Sequence, residues 1–148
     1  MVFNPRENMK NLIESNKALM ETYFYEVWNK GNLEILDQII DSAYINHNPS
    51  TVNPVPGPEG LKPIILAMRK GFPDLNYTIE DSVITEDRVV ARVLVKGTHL
   101  DSLFGIPPTG KSIEIRQINV ESILNGKIVE HWRVTEELKM MQQLGLVH

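Results

Sequence analysis

A chain of 148 residues suits one domain, and at that length folding buries roughly 70% of the surface an unfolded chain exposes, so a core can form without staples. There is no cysteine, which excludes disulfides, thiolate metal centres and cysteine nucleophiles. The 19 acidic and 15 basic residues, a net charge of −4, lie scattered, and no Lys/Arg cluster exists that could track a phosphate backbone, so nucleic acid is excluded as a partner.

The first residues, MVFNPRENMKNLIESNKALM, carry charges and amides throughout, and no later segment approaches the ~20 apolar residues of a membrane span. The expectation is a soluble, cytoplasmic protein with no membrane partner, in one domain over residues 1–148. Leu12, Leu19, Tyr23, Phe24 and Val27 then draw one apolar stripe on a helix from about Glu7 to Asn29, which Gly31 ends. Leu33, Leu36, Ile39 and Ile40 mark a short second helix.

Tyr44 to Pro49 reads as a short extended piece, and Pro54, Pro56, Gly57, Pro58 and Gly60 make a loop by composition. Glu59 to Lys70 predicts a third helix, with Pro63 in its first turn where a missing N–H costs little. From Leu75 the period switches to two, predicting antiparallel strands at Asn76–Ile84, Arg88–His99, Lys111–Leu124 and Lys127–Thr135. Thr85-Glu86-Asp87 and Asn125-Gly126 are hairpin turns, the latter because both central residues of a type I′ turn need positive φ. The longer connection from Leu100 to Gly110 has the size of a functional loop or a partner contact. A helical turn or two closes the chain at Glu136 to Gly145. Helices first and an antiparallel meander after them define an α+β fold.

An ordered set of short motifs resembles a known family: Glu26-Val-Trp28-Asn-Lys-Gly31-Asn, His47-Asn-Pro49, Gly57-Pro-Glu-Gly60, Phe72-Pro-Asp74, Gly97-Thr-His99, Gly105-Ile-Pro-Pro-Thr-Gly110-Lys, Gly126-Lys-Ile-Val-Glu-His-Trp132 and Gln143-Leu-Gly145. They are similar to the SnoaL-like polyketide cyclases, or ester cyclases, of the nuclear-transport-factor-2-like superfamily. The resemblance implies a cone-shaped α+β barrel, N-terminal helices packed on a strongly curved antiparallel sheet around a pocket, and a homodimer through the sheet's outer face. It implies a small, largely apolar carbonyl ligand and an intramolecular aldol condensation run by a pocket aspartate as general acid/base, with no metal and no organic cofactor. That aspartate usually stands four residues after the motif tryptophan, where this chain has Glu136. The change keeps the carboxyl group and adds about 1.5 Å of reach.

Glu136 has the strand parity of Ile128, Glu130, Trp132 and Val134, and if that face looks inward, apolar neighbours would raise its pKa into a useful range. The alternative is a helix-start residue suited to the dipole, with Glu137 facing solvent. Glu130, if inward, needs Arg92 or Arg116 as an ion-pair partner, and Arg92 then also faces substrate. His47 and His99 sit where pocket mouths are built and are candidate proton carriers beside Glu136. His131 has the opposite parity to Trp132 and is expected on the outer face, while His148 is terminal. No His-x-His or His-x₃-His pair occurs, so no metal site is expected. Gln117 and Asn119 share one strand face as candidate substrate-binding residues, although Glu121 on the same face favours an exposed surface. Trp28 and Trp132 are expected to wall the pocket.

Overall fold

A computed structural model describes residues 2–148. Helix α1 runs Pro5–Glu21, started by the Asn4 side chain, which accepts from the Arg6 and Glu7 N–H groups, and by Pro5 at the first helical position. The chain continues without a break into a π-helical segment, Thr22–Trp28, in which Asn29 N–H reaches the Phe24 carbonyl. The wider winding brings Tyr23, Phe24, Val27 and Trp28 all into the core. Gly31 at φ 77° terminates it, and the Arg69 guanidinium donates to the Trp28 and Asn29 carbonyls that the helix end leaves open.

A 3₁₀ turn, Leu33–Ile35, leads into the short α2, Leu36–Ile39, and directly into β1, Ile40–Asn46. Helix α3 spans Pro58–Gly71, then β2 Asn76–Ile84, β3 Arg88–Thr98, β4 Ser112–Leu124, β5 Lys127–Thr135 and α4 Glu137–Gln143. The five strands lie in one sheet in the order β1-β5-β4-β3-β2. Pairing from β2 to β5 is the expected antiparallel meander, closed at Asn125-Gly126 by a turn with φ of 52° and 74°. The extended piece before the Pro-rich loop is a full strand, and it pairs parallel to β5, so the sheet is mixed. A single sequence cannot show this, because parallel partners are set by the crossover between them.

Strands β3 and β4 alternate buried and exposed residues over their whole length, placing Val89, Ala91, Val93 and Val95 of β3 and Ile113, Ile115 and Ile123 of β4 on the concave face. That face closes over Phe24, Leu61, Ile64, Ile65 and Phe72. Side-chain and main-chain bonds tie the helices to the sheet edge: Asn29 both accepts from Tyr77 N–H and donates to the Tyr77 carbonyl, as a neighbouring strand would. The arrangement is the α+β cone expected, helices packed against a curved sheet.

Candidate functional site

A cavity of about 480 Å³ opens between the concave sheet face, α3, α4 and the 99–111 connection. Its wall is largely apolar: Ile64 and Met68 from α3, Val95 and Ile115 from the sheet, Leu103, Phe104 and Ile106 from the long connection, Met140, Met141 and Leu144 from the C-terminal segment. That size and lining suit a small organic molecule. The long connection is thus part of the cavity, held by a Leu103–Ile106 bridge with Phe104 at φ 45°.

The floor is different. Three directly opposed pairs of β4 and β5, Gln117 with Thr135, Asn119 with Arg133 and Glu121 with His131, project inward one after another. Gln117, Asn119, Glu121 and His131 are buried and Arg133 and Thr135 half-buried. A second, narrow chamber of about 10 Å³, lined by Tyr23, Asn119 and His131, shares Trp28, Ile64, Tyr77, Gln117 and Arg133 as walls with the main cavity. An apolar cavity with a polar blind end results.

At the innermost pair, Glu121 Oε1 lies 2.6 Å from His131 Nδ1, both side chains almost wholly out of solvent. Burial pushes the Glu121 carboxyl above the ordinary range, and the His131 ring and the Arg133 charge oppose that rise. Its Oε2 has no hydrogen-bond partner among the described residues, nor does Asn119 Nδ2. Tyr77 is pushed up to about 12 by burial, and the Tyr23 and Tyr44 phenols rise further for the same reason, so all three stay neutral donors. Arg133 Nη2 donates to the Asn48 carbonyl and to Ser50 Oγ, at 3.2 and 3.1 Å. No cluster of three or more His, Asp and Glu side chains arranged for a metal occurs among the described residues.

The parity of β5 fails at one place. Ser122 faces Glu130 but Ile123 faces Ile128, so Val129 is an extra residue, a β-bulge. Before it Ile128 points inward; after it His131 does, with Arg133 and Thr135 lining the cavity, while Trp132 and Val134 turn out. His131 is therefore a buried inner residue, against the expectation of an outer one. Trp132 stacks on His47 at 4.6 Å on the outside, and Glu130 pairs with that histidine at 2.9 Å rather than with an arginine.

Glu136 does not line the cavity. It is exposed, its backbone N–H donates to the Arg116 carbonyl and its carboxylate accepts from Arg116 N–H at 2.7 Å. That bond holds its pKa below the ordinary glutamate range, the reverse of what a buried base needs. Its neighbour Glu137 is exposed, as expected, and borders the cavity where it opens to solvent. His99 is fully buried but outside the cavity, 5.4 Å from Phe72, and its Nδ1 accepts from Thr109 N–H, tying down the long connection. Arg92 lies on the outer face, paired with Glu80. Of the residues expected at the site, Trp28, Gln117 and Asn119 reach the cavity or its inner chamber; Glu136, His47, His99, Arg92 and Trp132 do not. Glu121, His131 and Arg133 were missed as members. The unbroken inward alternation of Ile113, Ile115, Gln117, Asn119, Glu121 and Ile123 was the signal for Glu121.

Known proteins share this architecture. The aklanonic acid methyl ester cyclase DnrD of Streptomyces peucetius is 28% identical over 123 residues, 81% of this chain and 84% of that protein. TsrD from Streptomyces laurentii has a solved structure matching with a TM-score of 0.82 at 28% identity, over 90% of this chain and 97% of TsrD. IdmH from Streptomyces antibioticus matches with a TM-score of 0.74 at 32% identity, over 87% of this chain and 97% of IdmH. The model of the SnoaL-like polyketide cyclases matches residues 18–144, and the chain belongs to that family.

Proposed function

We propose that this protein is a cyclase- or isomerase-type enzyme that moves a proton beside a carbonyl of a small, largely apolar substrate, with the Glu121–His131 pair as its acid/base group. The observation that carries the reading is the polar blind end: a carboxylate-held imidazole beneath an apolar cavity, flanked by amide and guanidinium donors. The relatives named as ester cyclases support the reaction class.

Glu121 accepts from His131 Nδ1–H, which leaves the Nε2 lone pair as the base; Nε2 makes no hydrogen bond within the described residues. The inner chamber, about 10 Å³, is the size of one water molecule. Through that water the proton on the substrate carbon passes to Nε2, and the C–H electron pair moves onto the carbonyl oxygen as an enolate. Gln117, Asn119 and Arg133 donate to that oxygen. In a cyclisation the enolate carbon then bonds to a second carbonyl carbon of the same molecule, and the resulting alkoxide takes the proton back from His131. The steps are proton transfers and, in a cyclisation, one C–C bond formed as a C=O π bond opens, with no net change of oxidation state.

The test follows exchange of the acidic C–H of aklanonic acid methyl ester for deuterium, and ring closure, by NMR. Wild-type protein accelerates exchange, and His131→Gln loses about 10²–10⁴-fold while still binding the ester. Binding without exchange in the wild type would leave a sequestering or sensing pocket as the function.

We propose further that two copies pair through the outer sheet face in a cytoplasmic setting. Ile118 and Val134 stand directly opposite each other there, and Val134 is 74% exposed. The absence of cysteine suits a reducing compartment.

A further inference from the structure

The tyrosines of the chain stand at 23, 25, 44 and 77, and of these Tyr77 alone lines both the main cavity and the inner chamber. Tyr25 Oη accepts from the Ile79 N–H, Tyr23 reaches only the inner chamber, and Tyr44 lines neither space. The buried Tyr77 ring stacks on Phe24 at 5.6 Å and tilts against Trp28 at 5.1 Å, while the Asn29 side chain holds its backbone N–H and carbonyl. Val95, directly opposite Tyr77, and Val93, directly opposite Gln117, are the β3 side chains between the two. Both are short, so the phenol reaches the Gln117 amide at the neck where the two spaces meet.

A phenylalanine would give the same stacking, and a hydroxyl taken out of solvent is costly unless it finds a partner. Burial pushes the Tyr77 phenol up to about 12, against the Arg133 charge and the Gln117 hydrogen bond, so it stays protonated at neutral pH. A hydrogen bond that lowers a phenol's pKa is one its oxygen accepts, so the Gln117 amide donates and the Tyr77 O–H is left to donate elsewhere. That O–H comes from β2, whereas the donors placed at the enolate oxygen come from β4 and β5. The neck therefore presents a second, separate donor to a bound molecule.

We infer that Tyr77 is a further catalytic residue of this site: its O–H donates to a second carbonyl oxygen of the bound molecule and polarises that carbonyl for attack by the enolate carbon. The inference rests on the acid/base reading above for the step it serves. As the ring closes, the enolate π pair becomes the new C–C bond, and the C=O π pair of the second carbonyl moves onto its oxygen, where Tyr77 donates. The phenol keeps its own proton, and the one that neutralises the alkoxide comes from His131. Abstraction of the first proton needs nothing from Tyr77.

The experiment uses Tyr77→Phe, which keeps the ring against Phe24 and Trp28 and removes only the hydroxyl. With aklanonic acid methyl ester the variant is expected to exchange the acidic C–H at the wild-type rate and to close the ring about 10²-fold more slowly, the loss one oxyanion donor carries. Closure at the wild-type rate, or exchange and closure slowed by the same factor, overturns the inference. A binding arm needs no turnover. It compares the diketone 2-(2-oxopropyl)-1-tetralone with 2-isobutyl-1-tetralone, which has the same shape and one carbonyl fewer, by quenching of tryptophan fluorescence. Tyr77→Phe is expected to weaken the diketone about fivefold and to leave the monoketone unchanged, as loss of one hydrogen bond does. Unchanged diketone affinity in the folded variant overturns the inference. That selective loss, seen in a protein whose wild type neither exchanges nor closes the ring, refutes the acid/base reading alone and leaves the Tyr77–carbonyl contact standing.

Discussion

Glu121 and His131 face each other across β4 and β5 as a directly paired couple, Oε1 to Nδ1 2.6 Å, with His131 lining the inner chamber. Their partnership has a pH signature. The folded-state pKa of Glu121 is raised above its ordinary 4.5 by burial, so the stability this group contributes is fully present below 4.5 and is lost as pH rises through the folded value. A glutamine does not titrate and can still accept from Nδ1–H. Glu121→Gln is therefore expected to gain in Tm on wild type as pH rises from 4.5. Thermal melts of both proteins across that range check it; a gap that shrinks with pH contradicts it.

Glu136 gives the opposite sign. Its pKa is lowered first by the Arg116 N–H bond, so its contribution is present above the ordinary value of 4.5 and fades as pH falls below it. Glu136→Gln should lower Tm slightly at neutral pH, converge on wild type in acid, and leave proton exchange unchanged. A large loss of exchange in a folded variant would return Glu136 to the chemistry.

Gly60 opens α3 where a Cβ would collide with the Val55 carbonyl oxygen, a backbone atom that cannot swing away. Gly60→Ala is expected to destabilise by about 2 kcal/mol, as overpacking does, and to displace the Pro-rich loop. Urea unfolding measures the first effect and limited proteolysis within residues 50–57 the second.

Val134→Glu places a charge on the proposed pairing face, on the side of β5 away from the cavity. Sedimentation should show a dimer becoming a monomer, with proton exchange unchanged. A wild-type monomer at high concentration would dispose of the dimer.

Much of the architecture was readable from local chemistry. β2 and β5 were placed residue for residue, and the turn at Asn125-Gly126 followed from the φ values that only such residues adopt readily. Gln117 and Asn119 were singled out because polar side chains in mid-strand require partners wherever they point, and they line the cavity or its inner chamber. The buried Glu121–His131 pair was not readable. Val129 shifts the face of every later residue of β5, and an extra residue in one strand leaves no mark unless its partner strand is known.

The sequence by itself therefore determined the elements, the α+β class and the family resemblance, since propensity, turn chemistry and periodicity act over a few residues. Only the tertiary structure decided which carboxylate is buried: Glu121, pressed against His131 across β4 and β5, rather than Glu136, held exposed just past the end of β5 by Arg116. Burial and pairing depend on strand register, and register is a property of two strands together.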